Sequence, residues 1–323
     1  MQRLFVLIGR LVLAILIVAL SPIVRAEADG WPSRPITIVV PYAAGGNVDI
    51  AARLFAKALS EKLGQSVIIE NKPGAGGIVG SVTVANATPD GYTLLLTAAG
   101  PGALNKLLYK SLPYDADTQF TPIVVTNDVP QVVVIDPKIP VANLNELVAY
   151  SKQKKSVSIG HAGPGTMGQL AALLLVAQTK MNAVLVSYRG SAPLITDLLG
   201  GQIEAGVPAY IPEVNTVKAI AVTTESRVSF LPQVPTTRES GIADVEAATW
   251  NALLGPAGLP SEIVNKLNAS INAYLETESA QQDLARLGAR PIGGSPAGVT
   301  KLIADERAKW APIIQSAHIS LEQ

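Results

Sequence analysis

From Ile36 onward, short β-branched runs alternate with stretches of helical periodicity, and this alternation constrains the fold more than any other feature of the chain. Strand-like runs occupy 36–40, 67–70, 93–97, 123–126, 132–135, 157–159, 184–187, 203–207 and 219–223. Helical patterns lie between most of them, for example at 143–152 and 167–180. Such a chain is expected to form an α/β fold, with helices flanking mainly parallel sheets. The end of the chain differs: 261–275, 279–287 and 296–317 read as successive helices, each opened by Ser or Pro.

Two places read as crossings between lobes. One lies near 120–125, the other at 243–253, after Pro232, Pro235 and the Glu239-Ser-Gly turn. They divide the chain into a first domain of 31–124 plus 246–323 and a second of 125–245. A cleft between such lobes is a common place for a small ligand.

Residues 1–26 have the make-up of a secretory signal: Arg3 and Arg10, an unbroken apolar run over 11–20, and Val24-Arg25-Ala26 at the cleavage point. The chain has no cysteine, which rules out disulfides, thiol nucleophiles, Cys-based zinc sites and a lipid anchor at the cleavage site. An exported, unanchored, cysteine-free chain fits a Gram-negative periplasm. The 25 basic and 25 acidic residues balance, and removing 1–26 takes three arginines and no acid. Nucleic-acid binding is therefore not expected, because no basic excess exists to displace counterions. Any anion site must work through local dipoles and a few placed donors.

The most informative stretch is 38–53. A β-branched run stops at Pro41, a small-residue loop follows, and from about Asp49 apolar residues recur at helical spacing, Ile50, Leu54 and Ala58 beside Ala51, Phe55 and Leu59. A strand, glycine turn and helix bring unpaired main-chain N–H groups and the positive end of a helix to one point. Gly45 and Gly46 let a ligand approach the backbone. The loop lacks the Gly-Lys-Ser/Thr ending of a Walker-type loop, so a carboxylate is the better candidate than a phosphate. An ordinary β–α turn with Asp49 as a plain helix cap is the competing reading.

Other loops that follow strand-like runs complete the candidate site. Asn71-Lys-Pro-Gly-Ala-Gly-Gly leads into a helix at 78–85, with glycines suited more to packing than to contact. The loop 98–105 is again glycine-rich and contains Ala99. His161-Ala-Gly-Pro-Gly-Thr-Met brings Gly165 and Thr166, and Tyr188-Arg-Gly-Ser-Ala-Pro brings Arg189, Gly190, Ser191 and Ala192. Thr166 and Ser191 read either as helix caps or as hydroxyl donors to a ligand. Arg189, the one permanent cation in these loops, reads as a carboxylate clamp or as a partner for an acid at the rim.

Catalytic constellations are missing from the pattern. The histidines are His161 and His318, no Gly-x-Ser-x-Gly elbow accompanies them, and paired carboxylates and metal-ligand spacings are absent. The loops look built to hold rather than to transform. An exported α/β hydrolase using His161 is the enzymatic alternative, and a ligand-sensing protein signalling to a membrane kinase is another.

The chain resembles the periplasmic receptors of the tripartite tricarboxylate transporter family, the Bug proteins. The resemblance rests on Pro41-Tyr-Ala-Ala-Gly-Gly-Asn-Val-Asp-Ile-Ala-Ala-Arg53, Glu70-Asn-Lys-Pro-Gly-Ala-Gly-Gly77, Leu112-Pro-Tyr-Asp115 and Phe120-Thr-Pro-Ile123. Further along it rests on Tyr188-Arg-Gly-Ser-Ala-Pro193, Asp197-Leu-Leu-Gly-Gly-Gln202, Val234-Pro-Thr236 and Gly255-Pro-Ala-Gly-Leu-Pro260. It implies a two-lobed type II periplasmic-binding-protein fold that closes on a small organic acid, without cofactor or metal, as a monomer serving a tripartite membrane transporter. It also implies that the carboxylate grip falls on Tyr42, Ala43, Ala44, Gly45, Gly46 and Asn47, with Asp49 beside them. The opposing lobe would supply 163–166 and 189–192. The chain departs from the family in carrying Gln169 where a histidine is usual, in Asn47, and in a shortened stretch before Val217, where Tyr210 reads either as lining the cleft or as packing.

Overall fold

Ile36-Thr-Ile-Val-Val forms β1 (Ile36–Val40), buried at every position except the half-buried Thr37, and Pro41 ends it. Such burial on both faces is the mark of a central parallel strand. The computed structural model describes residues 30–243, 245–316 and 319–321. The expected signal segment, 1–26, and His318 lie outside the described residues.

In chain order the elements after β1 are α1 (Asn47–Leu63), β2 (Val67–Asn71), α2 (Ile78–Ala85), β3 (Thr93–Ala98), α3 (Asn105–Leu108), β4 (Phe120–Pro130) and β5 (Val132–Ile135). There follow α4 (Leu144–Gln153), β6 (Val157–His161), α5 (Met167–Thr179), β7 (Ala183–Ser187), α6 (Ser191–Gly200), β8 (Ala205–Val207) and β9 (Lys218–Val222). The chain closes with β10 (Ala248–Pro256), α7 (Ser261–Leu275), α8 (Glu278–Arg286), β11 (Arg290–Gly293) and α9 (Pro296–Ser316).

The strands make two sheets, ordered β11-β4-β10-β3-β1-β2 and β7-β6-β8-β5-β9. The expected α/β architecture is present, but each sheet is mixed rather than mainly parallel. β2, β1 and β3 run parallel, as do β7, β6 and β8. β10 runs antiparallel to β3 and β4, and β5 runs antiparallel to β8 and β9. β5 and β10, the first strands after each passage between the sheets, enter against the direction of the parallel strands they join, and β11 runs against β4 at the edge.

α1 buries Ala51, Ala52, Phe55, Ala56 and Leu59, leaves Ile50 37% exposed, and ends on Gly64 in the left-handed region (φ 69°). α7 and α9 pack on β4, and the fully buried Trp310 of α9 anchors that layer. α8 is capped by Thr277, whose hydroxyl accepts from the Ala280 amide, not by Ser279 as the sequence suggested.

β4 stays in the first sheet through Pro130, and β5 starts the second at Val132, so Gln131 is the junction. The return runs through 223–247. There, Thr223 N–H donates to the Gln131 carbonyl (3.0 Å), and Ala247 N–H donates to the Thr223 carbonyl (2.8 Å). The Thr223 hydroxyl sits 3.0 Å from the Gln131 carbonyl oxygen and 2.5 Å from that of Ala247. One threonine thus ties the outgoing and returning passages together.

Candidate ligand-binding site

In open α/β sheets, ligands gather beyond the carboxyl ends of the strands. Here the ends of β1 and β3 in one sheet and of β6 and β8 in the other border a cavity of about 280 Å³. Tyr42, Val48 and Ala98 to Gly100 wall it on one side, Pro164 to Gly168 on the other, and Gln131 and Thr249 close it at the junction. Among the described residues, no ionised side chain lines it.

The first helix terminus at the cavity is that of α1. Its N-cap is Gly46, with no side-chain cap. Asp49, the third residue of the helix and not its cap, is buried and turned back on the loop. Its carboxylate accepts from the Gly45 amide (2.9 Å), from Arg53 (Nε and Nη2, both 3.0 Å) and from Asn71 Nδ2 (2.9 Å). Burial alone would raise this carboxyl, but the bonds from Arg53, Gly45 and Asn71 outweigh it and hold it below the usual range. Asn71 also donates to the Tyr42 carbonyl (3.1 Å), so Asp49 and Asn71 fix both ends of the turn. Among the described residues no hydrogen bond takes up the amides of Ala44, Asn47 or Val48.

The second terminus is that of α5. Thr166 is its N-cap, accepting from the Gln169 amide at 3.4 Å and donating to the Gly163 carbonyl at 2.7 Å. Gln169 Oε1 accepts from the Gly165 amide (2.8 Å) and braces the loop from the helix. Gly168 faces the junction so closely that a Cβ there would meet the Val207 carbonyl at 2.5 Å. The amides of Met167 and Gly168 have no partner among the described residues. Two helix N-termini, one above each sheet, therefore meet at one uncharged cavity, and each carries partial positive charge.

Of the residues expected from sequence, Tyr42, Ala99, Gly165 and Thr166 line the cavity. Burial pushes the Tyr42 phenol well above its ordinary range, with the Thr97 hydroxyl and the Ala98 main chain pulling in the opposite direction. Ala43, Ala44, Gly45 and Gly46 form an exposed rim just outside it, Gly45 at φ 81°, and Asn47 reaches away to the Leu287 carbonyl (3.4 Å). His161 is buried beneath its loop, Nδ1 lying 3.0 Å from the Gly163 carbonyl oxygen, and burial lowers its pKa. It braces the turn and does not face the cavity.

Arg189, Gly190, Ser191 and Ala192 do not line it either. They follow β7, the edge strand of the second sheet, whereas the cavity sits over β6 and β8. Arg189 is exposed and joins none of the described ion pairs, and the α6 cap is Gly190 without a side-chain bond from Ser191. Tyr210 packs instead of lining: it is buried, tilted on Phe230 with ring centroids 4.6 Å apart, and its hydroxyl accepts from Asn215. The glycine loop before α2 does both of its possible jobs. Gly77 packs, since a Cβ there would lie 2.5 Å from Pro101 Cγ, while Gly76 lines the cavity; inside α2, Gly80 allows Pro41 to approach, since a Cβ would lie 2.8 Å from the Pro41 Cα.

Sequence reasoning missed Gln131, Thr249, Asn105, Leu108 and Leu321. Gln131 Nε2 donates to the Thr249 hydroxyl (3.2 Å), and its buried Oε1 has no partner among the described residues. Asn105 donates to the Gly76 carbonyl (3.2 Å) and joins the glycine loop to α3.

Residues 51–319 match the model of the tripartite tricarboxylate transporter family receptor. The chain belongs to that family. BugT of Bordetella pertussis is 33% identical over 329 residues, spanning 100% of this chain and 99% of its own. Among solved structures, R. palustris Rpa4515 with adipate superposes with a TM-score of 0.80 at 34% identity, covering 91% of this chain and 100% of that one. MatC of Rhodopseudomonas palustris with bound malate gives 0.75 at 31% identity, covering 88% and 100%. The family is one of periplasmic solute-binding receptors, and the two solved relatives carry adipate and malate. Among the described residues no helix is long and apolar enough to cross a membrane.

Proposed function

We propose that the protein captures a small organic acid between its two sheets and delivers it to a tripartite tricarboxylate-type transporter. The observation that carries this is the meeting of two helix N-termini, α1 and α5, at a cavity that, among the described residues, no ionised group lines. The amides of Val48, Met167 and Gly168 and the hydroxyls of Tyr42 and Thr249 supply donors there, and Gln131 Oε1 supplies an acceptor for a ligand hydroxyl. On the rim, the main-chain N–H groups of Ala44 and Asn47 add donors as the cleft closes. Charge-assisted bonds contribute roughly 1.5–3 kcal/mol each and a partly buried helix terminus up to ~2 kcal/mol. Three or four such contacts, less the ordering costs, support a micromolar Kd, about −8 kcal/mol.

The lobes, 31–124 plus 246–323 and 125–245, follow the sheets except at 125–130, the end of β4, which stays with the first sheet, and the turning point is the Gln131–Thr223–Ala247 tie. The acid shifts the population to the closed form because only that form engages both termini. The role is binding without turnover, and His161 argues for this, being spent on the Gly163 turn. The test is a calorimetric and thermal-shift screen of mono-, di- and tricarboxylates, with product analysis of every binder. Binding at micromolar concentration with the acid recovered intact is expected. No bound acid, or an acid converted, overturns the reading.

A further inference from the structure

Residues 319–321, after α9, pair back onto the molecule. Ile319 N–H donates to the Ile314 carbonyl (3.1 Å) and turns the chain back on the helix. Leu321 N–H then donates to the Leu108 carbonyl (2.8 Å), pairing alongside Tyr109 in a parallel bridge. From that anchor on the first sheet's side, the Leu321 side chain reaches the second sheet's side. A Cβ on Gly165 would lie 2.8 Å from Leu321 Cδ1 and 3.2 Å from Leu108 Cδ1. Leu321, Leu108, Tyr109 and Met167 line the cavity together. Apart from the Tyr109 phenol their side chains are apolar, and the donors named above are main-chain amides at the helix termini and hydroxyls at the first loop and the junction.

Resting on the carboxylate reading above, we propose that Leu321 is a specificity-determining wall of the ligand cavity, selecting acids with a hydrocarbon body and slowing their release. A carboxylate held at the helix termini leaves the rest of the ligand facing these apolar side chains. Each methylene placed there leaves water for a hydrocarbon surface, whereas a hydroxyl placed there loses its water without a partner. The same side chain touches both sides of the cleft, so it resists opening while the ligand is in place, and affinity differences of this kind appear mainly in dissociation.

The experiment uses the full mature chain, its Leu321→Ala variant and a chain ended after Ser320. Each is titrated with straight-chain dicarboxylates from succinate to suberate and with malate, by calorimetry and stopped-flow dissociation. In the native protein affinity rises with chain length. In both variants adipate weakens at least five-fold through faster dissociation, malate changes less than two-fold, and the unliganded melting midpoint stays put. Adipate held within two-fold of native, or all acids weakened alike, overturns the role of Leu321. A native protein that binds none of the panel overturns the carboxylate reading itself.

Discussion

A buried carboxylate beside a loop suited to anions is at first sight misplaced, yet Asp49 is what shapes that loop. It occupies the Gly45 amide and both Asn71 and Arg53, and so leaves the neighbouring amides free for a ligand. Arg53 is 55% exposed, so the ion pair itself adds little, and the main-chain and Asn71 bonds matter more. Asp49→Asn is expected to cost about 1–3 kcal/mol in urea unfolding and to weaken acid binding about ten-fold. His161 gives the protein a pH dependence. Its folded pKa lies below 6.5, so its contribution is complete above pH 6.5 and is lost as pH falls through the folded value. Denaturant midpoints are therefore expected to fall between pH 7.5 and pH 5.5, and His161→Asn is expected to flatten that fall. From the sequence, Thr166 could be a cap or a ligand donor; the structure shows it capping α5 and lining the cavity at once. One residue type served both readings, which is why the sequence left them open.

Elements with a strong internal period were legible; those defined by their neighbours were not. β1, β3, β5 and α7 fall close to where β-branched runs and apolar spacing put them. β10 was missed because Ala-Thr-Trp-Asn-Ala-Leu-Leu-Gly-Pro has no alternation: its last seven residues are buried between β3 and β4. β11 was missed because Arg-Pro-Ile-Gly is a poor strand on its own, and pairing with β4 makes it one. The Arg290–Asp128 pair, in which Arg290 Nε lies 2.8 Å from Oδ1, helps to hold that edge. Where α2 crosses the first loop, the packing is close enough to test. Gly80→Ala drives a Cβ against Pro41, so the first loop must move, and a loss of acid affinity with a lowered melting point is expected. Unchanged affinity in a folded Gly80→Ala protein counts against the loop's part in binding.

At the scale of the whole molecule the site is assembled from distant pieces. Gln131, Thr249 and Leu321 meet only after the chain has crossed between sheets twice and turned back after α9. No local spacing signals that, which is why the family motifs marked the rim of the cavity better than its floor. The Thr223 hydroxyl at the centre of the crossings gives the hinge its own test. Thr223→Val keeps the shape and leaves the Gln131 and Ala247 carbonyls without that donor, with an expected loss of about 1–3 kcal/mol in unfolding free energy. Solution scattering is expected to show a smaller radius of gyration with saturating acid, and an unchanged radius sinks the closure mechanism.

A wall made of peptide dipoles has no proton to gain or lose. Where lysine or histidine grips an anion, acidification or alkalinisation rewrites the affinity; on the reading proposed above, once the acid itself is ionised, only the solute's own chemistry sets the response. The periplasm follows the medium outside the cell, and a scavenger built in this way keeps the same appetite as its surroundings sour or sweeten.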